Sequence, residues 1–593
     1  MTHSDLQDFY EKRKSIFTAS HRAIKKEINI ISNIRLAVAL IFLALLYFGF
    51  SYHSLLYFLP PLLFTFVILV RKHASLFDKK VHLENLNQIQ QDELHSLRGD
   101  FSHNSSGSEF INVHHPYTHD LDIFGEGSLF QYLNRSNTRG GKELLADHLS
   151  FRPRTKEEII HRQDAVKELA SKFDFRQEVQ ALSMQIDEQQ DDQLQLQHWL
   201  SQPAFIYGKP GYKFVLTVFP LLTISLVVAA FFVGGIKTFA VLAAGLQWGF
   251  LGFHLKKVNA FHQYISRKKN MLDKYARMLF FIRQEKYSSH LMKSLGNQAE
   301  QAHQKVSQLA SLVSAFDARL NSMTNLVVNS LFLYDLQCVL RLEKWKSENA
   351  LHLPRWLETI REAEFLCSLA TFSFNHSNFA FPEINDDQRL SANGMGHPLL
   401  DENERVVNDI HLDRERSIMI ITGANMAGKS TFLRSLGVNV VLALIGAPVC
   451  ANEFHCPMID MRSGMRTTDS LKEHQSYFYA ELDRLKSIMD DLRQGKPLLI
   501  LLDEILKGTN STDKQAGSVA LVKQLTEKPC LVLIATHDLA LGDLESDYPG
   551  RVLNYSFEAT IEDEQLFFDY KLNRGLAQRM NATFLMRKMG IIV

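Results

Sequence analysis

The chain has 593 residues, which is enough for several domains. Its 65 Lys and Arg residues balance 65 Asp and Glu residues, which excludes a globally basic nucleic-acid-binding protein, so any DNA contact must come from a local patch or an enclosing shape. The five cysteines show no Cys-x-x-Cys spacing, which predicts neither a disulfide framework nor a zinc site and fits a reducing compartment.

The first predicted element is an apolar helical hairpin near the N-terminus. Residues 36–70 contain no Asp, Glu, Lys or Arg and divide into two apolar pieces, 36–50 and 55–70. Each piece is shorter than the ~20 residues that a straight spanning helix needs, but as a pair they are typical of a membrane insertion. Pro60 and Pro61 lie inside the second piece and predict a kink or a re-entrant path there.

A second apolar hairpin is predicted at 214–234 and 238–255, with a turn that contains Gly234 and Gly235. Both hairpins have basic flanks, which by the positive-inside rule lie in the cytoplasm. We therefore expect a multi-pass protein of the cell membrane with four spans and its large domains in the cytoplasm. The alternative is a pair of helical hairpins buried in a soluble protein. The basic flanking residues are Lys25, Lys26, Arg35, Arg71, Lys72, Lys79, Lys80, Lys209, Lys213, Lys256, Lys257, Arg267, Lys268 and Lys269.

A long polar region follows the second hairpin at about 256–350 and is predicted to form helices with a basic face. Anionic lipid is the first explanation for a basic cluster beside a membrane, and DNA phosphates are the second. The cluster comprises Lys256, Lys257, Arg267, Lys268, Lys269, Lys274 and Arg277.

Residues 421–431 read Ile-Thr-Gly-Ala-Asn-Met-Ala-Gly-Lys-Ser-Thr and contain the Gly-x4-Gly-Lys-Ser spacing of a phosphate-binding P-loop. An apolar, β-branched run precedes the loop at 417–422, and a run rich in Leu and Val without Pro follows at 431–444. This context predicts a buried strand, a glycine loop and a helix. Backbone N–H groups of such a loop converge on phosphate oxygens at the helix N-terminus.

The P-loop predicts a site for ATP with Mg²⁺. Lys429 is expected to neutralise the outer phosphates, and the Ser430 hydroxyl is expected to hold the metal ion. The residues assigned to nucleotide binding are Gly423, Asn425, Met426, Gly428, Lys429, Ser430 and Thr431.

Two further apolar runs end in side chains suited to phosphate hydrolysis. Residues 497–502 precede Asp503, assigned to the Mg²⁺ shell, and Glu504, assigned to orienting or deprotonating the attacking water. Residues 530–536 precede His537, which is expected to sense the γ-phosphate from the tip of its strand. The predicted catalytic side chains in these elements are therefore Lys429, Glu504 and His537.

These motifs resemble the ATPase domain of the MutS family. The resemblance rests on the P-loop at 421–431, on Asp-Glu-Ile-Leu-Lys-Gly-Thr at 503–509 and on Ala-Thr-His at 535–537. Residues 396–410 are similar to the family segment that covers the nucleotide base. Arg405 stands there where an aromatic side chain often stacks on adenine, and it either stacks through its guanidinium plane or is solvated.

The resemblance also extends upstream of the ATPase. Motifs within 118–166 are similar to the start of the MutS core, or lever, domain, and motifs within 356–384 are similar to its end. The resemblance thus covers about residues 118–593 and is interrupted by the second hairpin.

The resemblance implies a homodimer formed through the ATPase domains, in which a loop from one chain reaches the γ-phosphate bound by the other. Residues 469–481 match that loop, and Ser476 is carried over as its catalytic contact. His474 and Tyr477 replace a glycine and a small residue of the family pattern, which removes backbone freedom around this serine. Asp513 matches a position in a second interface loop.

Family members that recognise mismatches carry an N-terminal domain with a Phe-x-Glu wedge, a connector and a clamp. Residues 1–117 hold a hairpin and too little else for those domains. The sequence Phe9-Tyr10-Glu11 has the spelling of the wedge but lies on a short charged amphipathic stretch, so we interpret it as coincidence.

The predicted fold class is a C-terminal α/β P-loop ATPase domain and a mostly α-helical core interrupted by a transmembrane hairpin, with a second transmembrane hairpin at the N-terminus. The predicted boundaries are 1–95 for the N-terminal helical segment, 96–117 for a linker, 118–390 for the core and 391–593 for the ATPase domain.

The favoured hypothesis is a membrane-anchored MutS-type ATPase whose dimer couples ATP binding and hydrolysis to DNA binding. The alternative is a membrane mechanoenzyme or scaffold that uses the same dimer without specific DNA or mismatch recognition. A transporter is disfavoured because the two hairpins carry no charge apart from Lys237 in a turn. The expected partners are a second copy of the chain, membrane lipid and DNA, the last by family resemblance alone.

Overall fold

A computed structural model of the chain describes residues 2–150, 155–188, 191–466, 477–507, 510–562 and 565–578. The N-terminal part is helical, with these helices in chain order: α1 His3–Gly49, α2 Leu59–Leu97, α3 Leu129–Leu133, α4 Arg139–Ser150, α5 Lys156–Ser171, α6 Phe173–Ser183, α7 Asp192–Ser201, α8 Pro210–Ala229, α9 Ile236–Ile265, α10 Lys269–Gln284, α11 His290–Ala299, α12 Ala302–Asp317, α13 Ser322–Phe332, α14 Tyr334–Asn349 and α15 Leu353–Asn375.

The C-terminal part is mixed α/β. Its strands and helices follow one another as β1 Glu383–Asn385, β2 Leu390–Met395, β3 Asn408–Leu412, β4 Ile418–Gly423, α16 Lys429–Ile445, β5 Glu453–Pro457, β6 Asp460–Gly464, α17 Tyr477–Arg493, β7 Leu498–Asp503, α18 Ser511–Thr526, β8 Cys530–Thr536, α19 Leu544–Asp547, β9 Val552–Glu562 and β10 Gln565–Arg574.

Hairpin one, formed by α1 and α2, extends well beyond its apolar pieces. Helix α1 has 47 residues and begins at a capping box between Thr2 and Asp5. The expected kink at Pro60 and Pro61 is wrong, because both prolines lie in the first turn of α2, after a 3₁₀ helix at His53–Phe58. A proline in the first turn has no intrahelical hydrogen bond to lose, so it starts the helix instead of bending it.

Within the described residues, four helical stretches are long and apolar enough to cross a membrane: His3–Gly49, His53–Leu97, Pro210–Ala229 and Ile236–Ile265. At most 22% of each apolar window is buried inside the chain. The alternative of hairpins buried in the protein core is therefore wrong. Large apolar side chains stand exposed on these helices, among them Leu43, Phe64 and Phe253, which is unusual for a surface that faces water.

Hairpin two, formed by α8 and α9, joins the core through a buried carboxylate. Glu343 on α14 is fully buried and accepts hydrogen bonds from the N–H groups of Phe205, Ile206 and Tyr207 over 2.7–3.0 Å. These three groups lie just before α8, so the hairpin is fixed at its base to the helical core.

The predicted basic face after hairpin two is only partly present. Lys268 is 4% exposed and donates to Asp192 over 2.5 Å, while Lys274 is 7% exposed and donates to Gln185 over 2.6 Å. These two ammonium groups are satisfied inside the core and are not available to lipid or DNA. The sequence alone does not distinguish these two buried lysines from the exposed basic residues beside them.

The first turns of α1 pack into the helical core. Tyr10 is fully buried and donates a hydrogen bond to the Oδ1 atom of Asn375 over 2.8 Å. The ring of Phe9 lies 4.6 Å from that of Phe173 and 5.6 Å from that of Phe374, centre to centre. Phe9 therefore has an intramolecular packing role, consistent with its interpretation as unrelated to a mismatch wedge.

A buried ion pair between Glu93 and Arg135 also links hairpin one to the helical core. Glu93 on α2 accepts hydrogen bonds from Nε and Nη2 of Arg135 over 2.5 and 3.1 Å, and one from Asn375 over 2.8 Å. The Arg135 backbone N–H donates to the Ser368 hydroxyl on α15. Helix α15 leads directly into β1, so hairpin one is joined to the helix that connects the core with the sheets.

The main sheet has the strand order β10-β9-β4-β8-β7-β6, in which all pairs are parallel except β10 with β9. Strands β4 and β8 are buried along their whole length, as the uninterrupted apolar runs predict. A smaller sheet has the order β1-β5-β2-β3. The predicted strands before the P-loop, before Asp503 and before His537 are confirmed as β4, β7 and β8.

Candidate nucleotide-binding site

The site forms where β4, β7 and β8 end side by side. The register pairs Thr422 of β4 with Thr536 of β8, and Asp503 of β7 with Ala535 of β8. Because these strands are parallel, their C-terminal ends lie on one edge of the sheet, where ligands of open α/β sheets bind. The loop 424–428 crosses this edge and leads into α16, which begins at Lys429.

Gly423 and Gly428 allow the backbone conformation of the P-loop and its close approach to neighbouring residues. Gly423 has φ of 148°, and a Cβ atom there would lie 2.4 Å from the carbonyl oxygen of Phe557 on the neighbouring strand β9. Gly428 has φ of 104°, and a Cβ atom would lie 3.1 Å from the ring of Tyr570. Both positions therefore need glycine, for backbone conformation and for space.

Lys429 folds back over the loop. Its Nζ atom donates to the carbonyl oxygens of Gly423 and Ala424 over 2.7 and 2.8 Å. Burial lowers the pKa of Lys429, and the negative charges of Asp503 and Glu504 partly oppose this effect. The ammonium group is thus held at the mouth of the loop, where phosphate oxygens would meet the loop N–H groups.

Ser430 and Asp503 face each other across the site. The Ser430 hydroxyl donates to the Oδ2 atom of Asp503 over 2.6 Å. A hydroxyl and a carboxylate are hard oxygen ligands of the kind that Mg²⁺ prefers, and Mg²⁺ is held by one or two such side chains together with phosphate oxygens and water. These two residues fit a magnesium ion bound with a nucleotide.

Glu504 has an unusual backbone conformation that directs its side chain. Its φ of 56° lies in the left-handed region, which is uncommon for a residue other than glycine, and its N–H donates to the carbonyl of Ala535 over 2.8 Å. The Oε1 atom lies 3.0 Å from Nε2 of His537, and Oε2 lies 3.7 Å from Nζ of Lys507. Such local strain is characteristic of functional sites.

His537 completes the cluster. Its Nε2 atom lies 3.4 Å from Nζ of Lys429 as well as 3.0 Å from Glu504. Burial lowers the pKa of His537 below its usual 6.5, the positive charge of Lys429 lowers it further, and Glu504 opposes the shift. The imidazole is therefore neutral at pH 7, and its Nε2 atom lies between the P-loop lysine and the carboxylate.

A cavity of about 440 Å³ opens above the P-loop. On one side it is lined by His397, Leu400 and Asn408, from the segment expected to cover the base. Buried Asn439 on α16 donates to the carbonyl of Gly396 over 2.9 Å and accepts from the N–H of Cys450 over 2.7 Å, which fixes this segment against the P-loop helix.

Arg405 is engaged within its own segment. Its guanidinium group donates to the carbonyl oxygen of Leu400 over 2.6 Å and lies 5.5 Å from the centre of the Phe379 ring. The two possibilities considered from the sequence were stacking on a base and simple solvation. The guanidinium group is instead used for contacts inside the chain.

The other residues predicted from the sequence do not belong to the cluster of Lys429, Ser430, Asp503, Glu504 and His537. Asn425, Met426 and Thr431 lie exposed along the loop and the first turn of α16. Ser476 lies outside the described residues. Downstream of it, Glu481 on α17 accepts a hydrogen bond from the N–H of Leu506 over 2.5 Å, and burial raises the pKa of Glu481.

Asp513 lies in the first turn of α18. Its backbone N–H donates to the side chain of Asn510, and its carboxylate accepts from the Asn510 amide, both over 2.9 Å. It therefore takes part in a helix cap. Its expected interface role stays a prediction.

Sequence analysis overlooked Asp120, which joins the core to this domain. The buried carboxylate accepts hydrogen bonds from the Ser463 hydroxyl over 2.7 Å and from the backbone N–H groups of Met465 and Arg466 over 3.0 and 3.1 Å. Arg484 forms an ion pair with it at 3.1 Å. Its partners lie more than 340 residues away along the chain, so no local pattern announces the contact.

Comparison with known proteins identifies the domain that carries this site. The family model for MutS domain V matches residues 419–587. DNA mismatch repair protein MutS of Thermotoga sp. (strain RQ2) is 32% identical over 225 residues, which is 37% of this chain and 28% of that protein. The MutS protein of Carboxydothermus hydrogenoformans is 30% identical over 265 residues, 44% of this chain and 31% of that protein.

The MutS protein of Roseiflexus sp. (strain RS-1) is 33% identical over 218 residues, 35% of this chain and 20% of that protein. The chain thus spans less than a third of the length of these curated relatives. The similarity lies in the part of the chain that holds the P-loop, the paired carboxylates and His537. In this C-terminal part, the chain is similar to MutS proteins and contains a MutS domain V.

Proposed function

We propose that this protein is a membrane-anchored ATPase that binds ATP with Mg²⁺ at the loop 423–431 and hydrolyses it. The observation that carries the proposal is the convergence of Lys429, Ser430, Asp503 and Glu504 with His537 at the ends of three parallel strands. These side chains are of the types that phosphate binding, Mg²⁺ binding and water activation require.

The contacts of these side chains support a separate role for each in ATP binding and hydrolysis. Lys429 and the loop N–H groups would hold the phosphates, and Ser430 with Asp503 would hold Mg²⁺, which offsets charge on the transferred phosphoryl group. Glu504 would orient the attacking water and take its proton. His537, neutral and 3.0 Å from Glu504, would keep that carboxylate in position.

We propose that α1–α2 and α8–α9 are the membrane anchors, with the site on the cytoplasmic side. Exposed apolar side chains on all four helices and the basic residues at their ends support this arrangement. Washing membranes with alkaline carbonate tests it. The protein should stay in the pellet, and its release into the supernatant would contradict insertion.

We further propose that the protein acts on DNA, as the printed names of its relatives state for them, and that it does so as a homodimer, as the family resemblance implies. The shared region covers less than a third of those relatives, so this part of the proposal rests on the match to domain V and on family resemblance. Ser476 is proposed to reach the partner's nucleotide.

Measurements of ATPase activity with DNA test this proposal. The detergent-purified protein should hydrolyse ATP faster with mismatched, branched or plain duplex DNA, and the stimulation should fall steeply as salt rises. The Lys429→Ala protein, prepared in the same way, controls for contaminating ATPases. Absence of binding to every DNA at low salt would contradict the DNA function and leave the ATPase intact.

A second function, a mechanoenzyme that acts on the membrane without DNA, is favoured by one set of contacts. Glu93 ties hairpin one to Arg135 and Asn375, and Glu343 ties the base of hairpin two to the core. Motion of the ATPase domain would therefore reach both hairpins. In that case ATPase activity should respond to reconstitution into lipid bilayers and not to DNA.

A further inference from the structure

Helix α13, Ser322–Phe332, is a short apolar helix inside the region that the sequence analysis interpreted as polar. No Asp, Glu, Lys or Arg occurs from Leu320 to Tyr334. Eleven residues of helix are too short to span a bilayer, which needs ~20. The helix nevertheless does not bury its apolar side chains in the core.

The N-terminal part of one face of α13 is exposed. Leu320, just before the helix, is 56% exposed, and Met323, Leu326 and Val327 on the helix are 78%, 54% and 57% exposed. The spacing of three and four residues places Met323, Leu326 and Val327 on one stripe of the helix. A stripe of this kind on a helix is unlike a surface that meets only water.

The C-terminal end of the same stripe contacts hairpin two, because Ser330 lies four and three residues after Leu326 and Val327. The Ser330 hydroxyl accepts a hydrogen bond from the indole N–H of Trp248 on α9 over 2.9 Å. Before the helix, Arg319 donates to the Oδ1 atom of Asn259, also on α9, over 2.8 Å. Helix α13 therefore lies beside the stretch of α9 between Trp248 and Asn259.

This stretch is where α9 changes from apolar to charged. Residues 238–255 of α9 carry no charge, and Lys256 and Lys257 follow. Trp248 lies 13 residues after Gly235 at the hairpin tip, or about 20 Å at 1.5 Å per residue, within a hydrocarbon layer of about 30 Å. The start of α13 is thus level with the charged end of α9, and Ser330 is level with its apolar part.

The charges next to α13 are neutralised within the protein. Arg319 donates to Asp335 over 2.9 Å, and the two side chains are 10% and 1% exposed. Pairing and burial remove the charges that would oppose contact with lipid.

We infer that the face formed by Leu320, Met323, Leu326 and Val327 contacts the lipid bilayer, with α13 lying in the cytoplasmic interface as a non-spanning helix. The inference rests on the proposal that α8 and α9 insert into the membrane. The exposed apolar surface of α13 continues the exposed surface of those helices, and no other occupant is indicated by the contacts of the described residues. The chain would thus meet the membrane through a fifth segment.

Single introduced cysteines test the inference, since all five native cysteines are buried. Met323→Cys reports on α13, and Leu246→Cys, at a position 68% exposed on α9, reports on hairpin two. Leu351→Cys, at a position 86% exposed in the turn after α14, is the matched control away from the membrane. Each protein is reconstituted into liposomes and treated with a membrane-impermeant maleimide, and a fluorescent label at each site is exposed to spin-labelled lipids.

The expected result is rapid labelling at 351 without lipid quenching, and loss of labelling at both 323 and 246. Lipids that carry the spin label near the head group should quench the label at 323. Labelling at 323 as fast as at 351 would overturn the inference, while protection at 246 would leave the membrane proposal intact. Protection at 323 without lipid quenching would show that protein covers α13 and would also overturn the inference. Rapid labelling at 246 would instead overturn membrane insertion itself.

Discussion

His537 and Glu504 contact each other over 3.0 Å between Nε2 and Oε1, although they end different strands of the main sheet. Lys429 lies 3.4 Å from the same imidazole nitrogen. Burial and the charge of Lys429 keep the imidazole neutral at pH 7 by lowering its pKa below 6.5. A neutral imidazole accepts or donates one hydrogen bond at this nitrogen without adding charge to the site.

This contact predicts an acid-sensitive ATPase. Because the pKa of His537 is lowered, protonation begins only as the pH falls below 6.5, and the imidazolium would pair with Glu504 and hold it away from water. We expect kcat to be level above that pH and to fall below it. His537→Asn should lower kcat by about 10²-fold and abolish this acidic limb. The measurement is kcat at saturating ATP between about pH 5 and 8.

Since ATP itself titrates in both reactions, only the difference between the two profiles reports on His537. An unchanged acidic limb in the His537→Asn protein would contradict the assignment. Equal losses of kcat at every pH would show that His537 has a structural role only.

Substitution of Lys429 and Glu504 should separate ATP binding from hydrolysis. Lys429→Ala removes the ammonium group that lies on the loop carbonyls, so binding of a fluorescent ATP analogue should be lost. Glu504→Gln keeps the shape of the side chain and the binding site, so the analogue should bind while turnover falls by about 10²–10⁴-fold.

Lys523→Ala is the matched control for loss of a lysine, because Lys523 pairs with Asp547 at 3.5 Å on the surface of α18. It should bind and hydrolyse ATP normally. Turnover at wild-type rate in the Glu504→Gln protein would remove Glu504 from the catalytic step.

The strands of the site could be predicted because buried parallel strands give uninterrupted apolar runs. Residues 418–423, 498–503 and 530–536 have this property, and the glycine spacing after the first run fixes where the loop must turn. Functional side chains at the ends of such strands follow from the geometry of a parallel sheet.

Long-range and three-dimensional features could not be predicted in this way. The contact of Asp120 with β6 and the following N–H groups joins positions that share no local pattern. Lys268 looks like an exposed basic residue, yet Asp192 neutralises it in the core. The exposed stripe of α13 is hidden in the sequence because polar Asn and Ser residues interrupt it. Burial and partners decide these cases, and neither is encoded within a short window.

Gly423 offers a test of the P-loop geometry. An alanine Cβ would lie 2.4 Å from the Phe557 carbonyl, and φ of 148° adds backbone strain. Gly423→Ala should therefore lower both ATP affinity and stability, because the loop or strand β9 must shift. Thermal unfolding with and without ATP and Mg²⁺ gives both quantities.

Gly550→Ala is the matched control, because Gly550 also has positive φ, 83°, but open space around its Cβ position. It should lose about 1–2 kcal/mol for backbone conformation and retain ATP binding. Equal effects of the two substitutions would show that the approach of β9 to the loop is unimportant.

The buried pair of Glu93 and Arg135 should stabilise the junction between hairpin one and the core. The two side chains are 2% and 7% exposed. Burial favours the neutral acid, but the charge and hydrogen bonds of Arg135 outweigh it and lower the pKa of Glu93 below 4.5. The pair is therefore charged at neutral pH, and its contribution to stability is lost only as the pH falls below the usual range of a carboxyl group.

Glu93→Ala leaves the guanidinium group of Arg135 buried without its partner, so it should cost about 3–5 kcal/mol of stability. Glu27→Ala provides the comparison, since Glu27 on α1 and Lys72 on α2 pair 3.6 Å apart with side chains about half exposed, and its cost should be about 0–1 kcal/mol. Chemical unfolding of the detergent-solubilised proteins measures both.

The double substitution Glu93→Leu with Arg135→Met should recover much of the loss, because it removes both charges and keeps the volume. If the double variant regains stability but its ATPase no longer responds to lipid, the ion pair transmits the state of hairpin one to the site. Equal costs for Glu93→Ala and Glu27→Ala would instead mean that the junction is held by packing around Tyr10 alone.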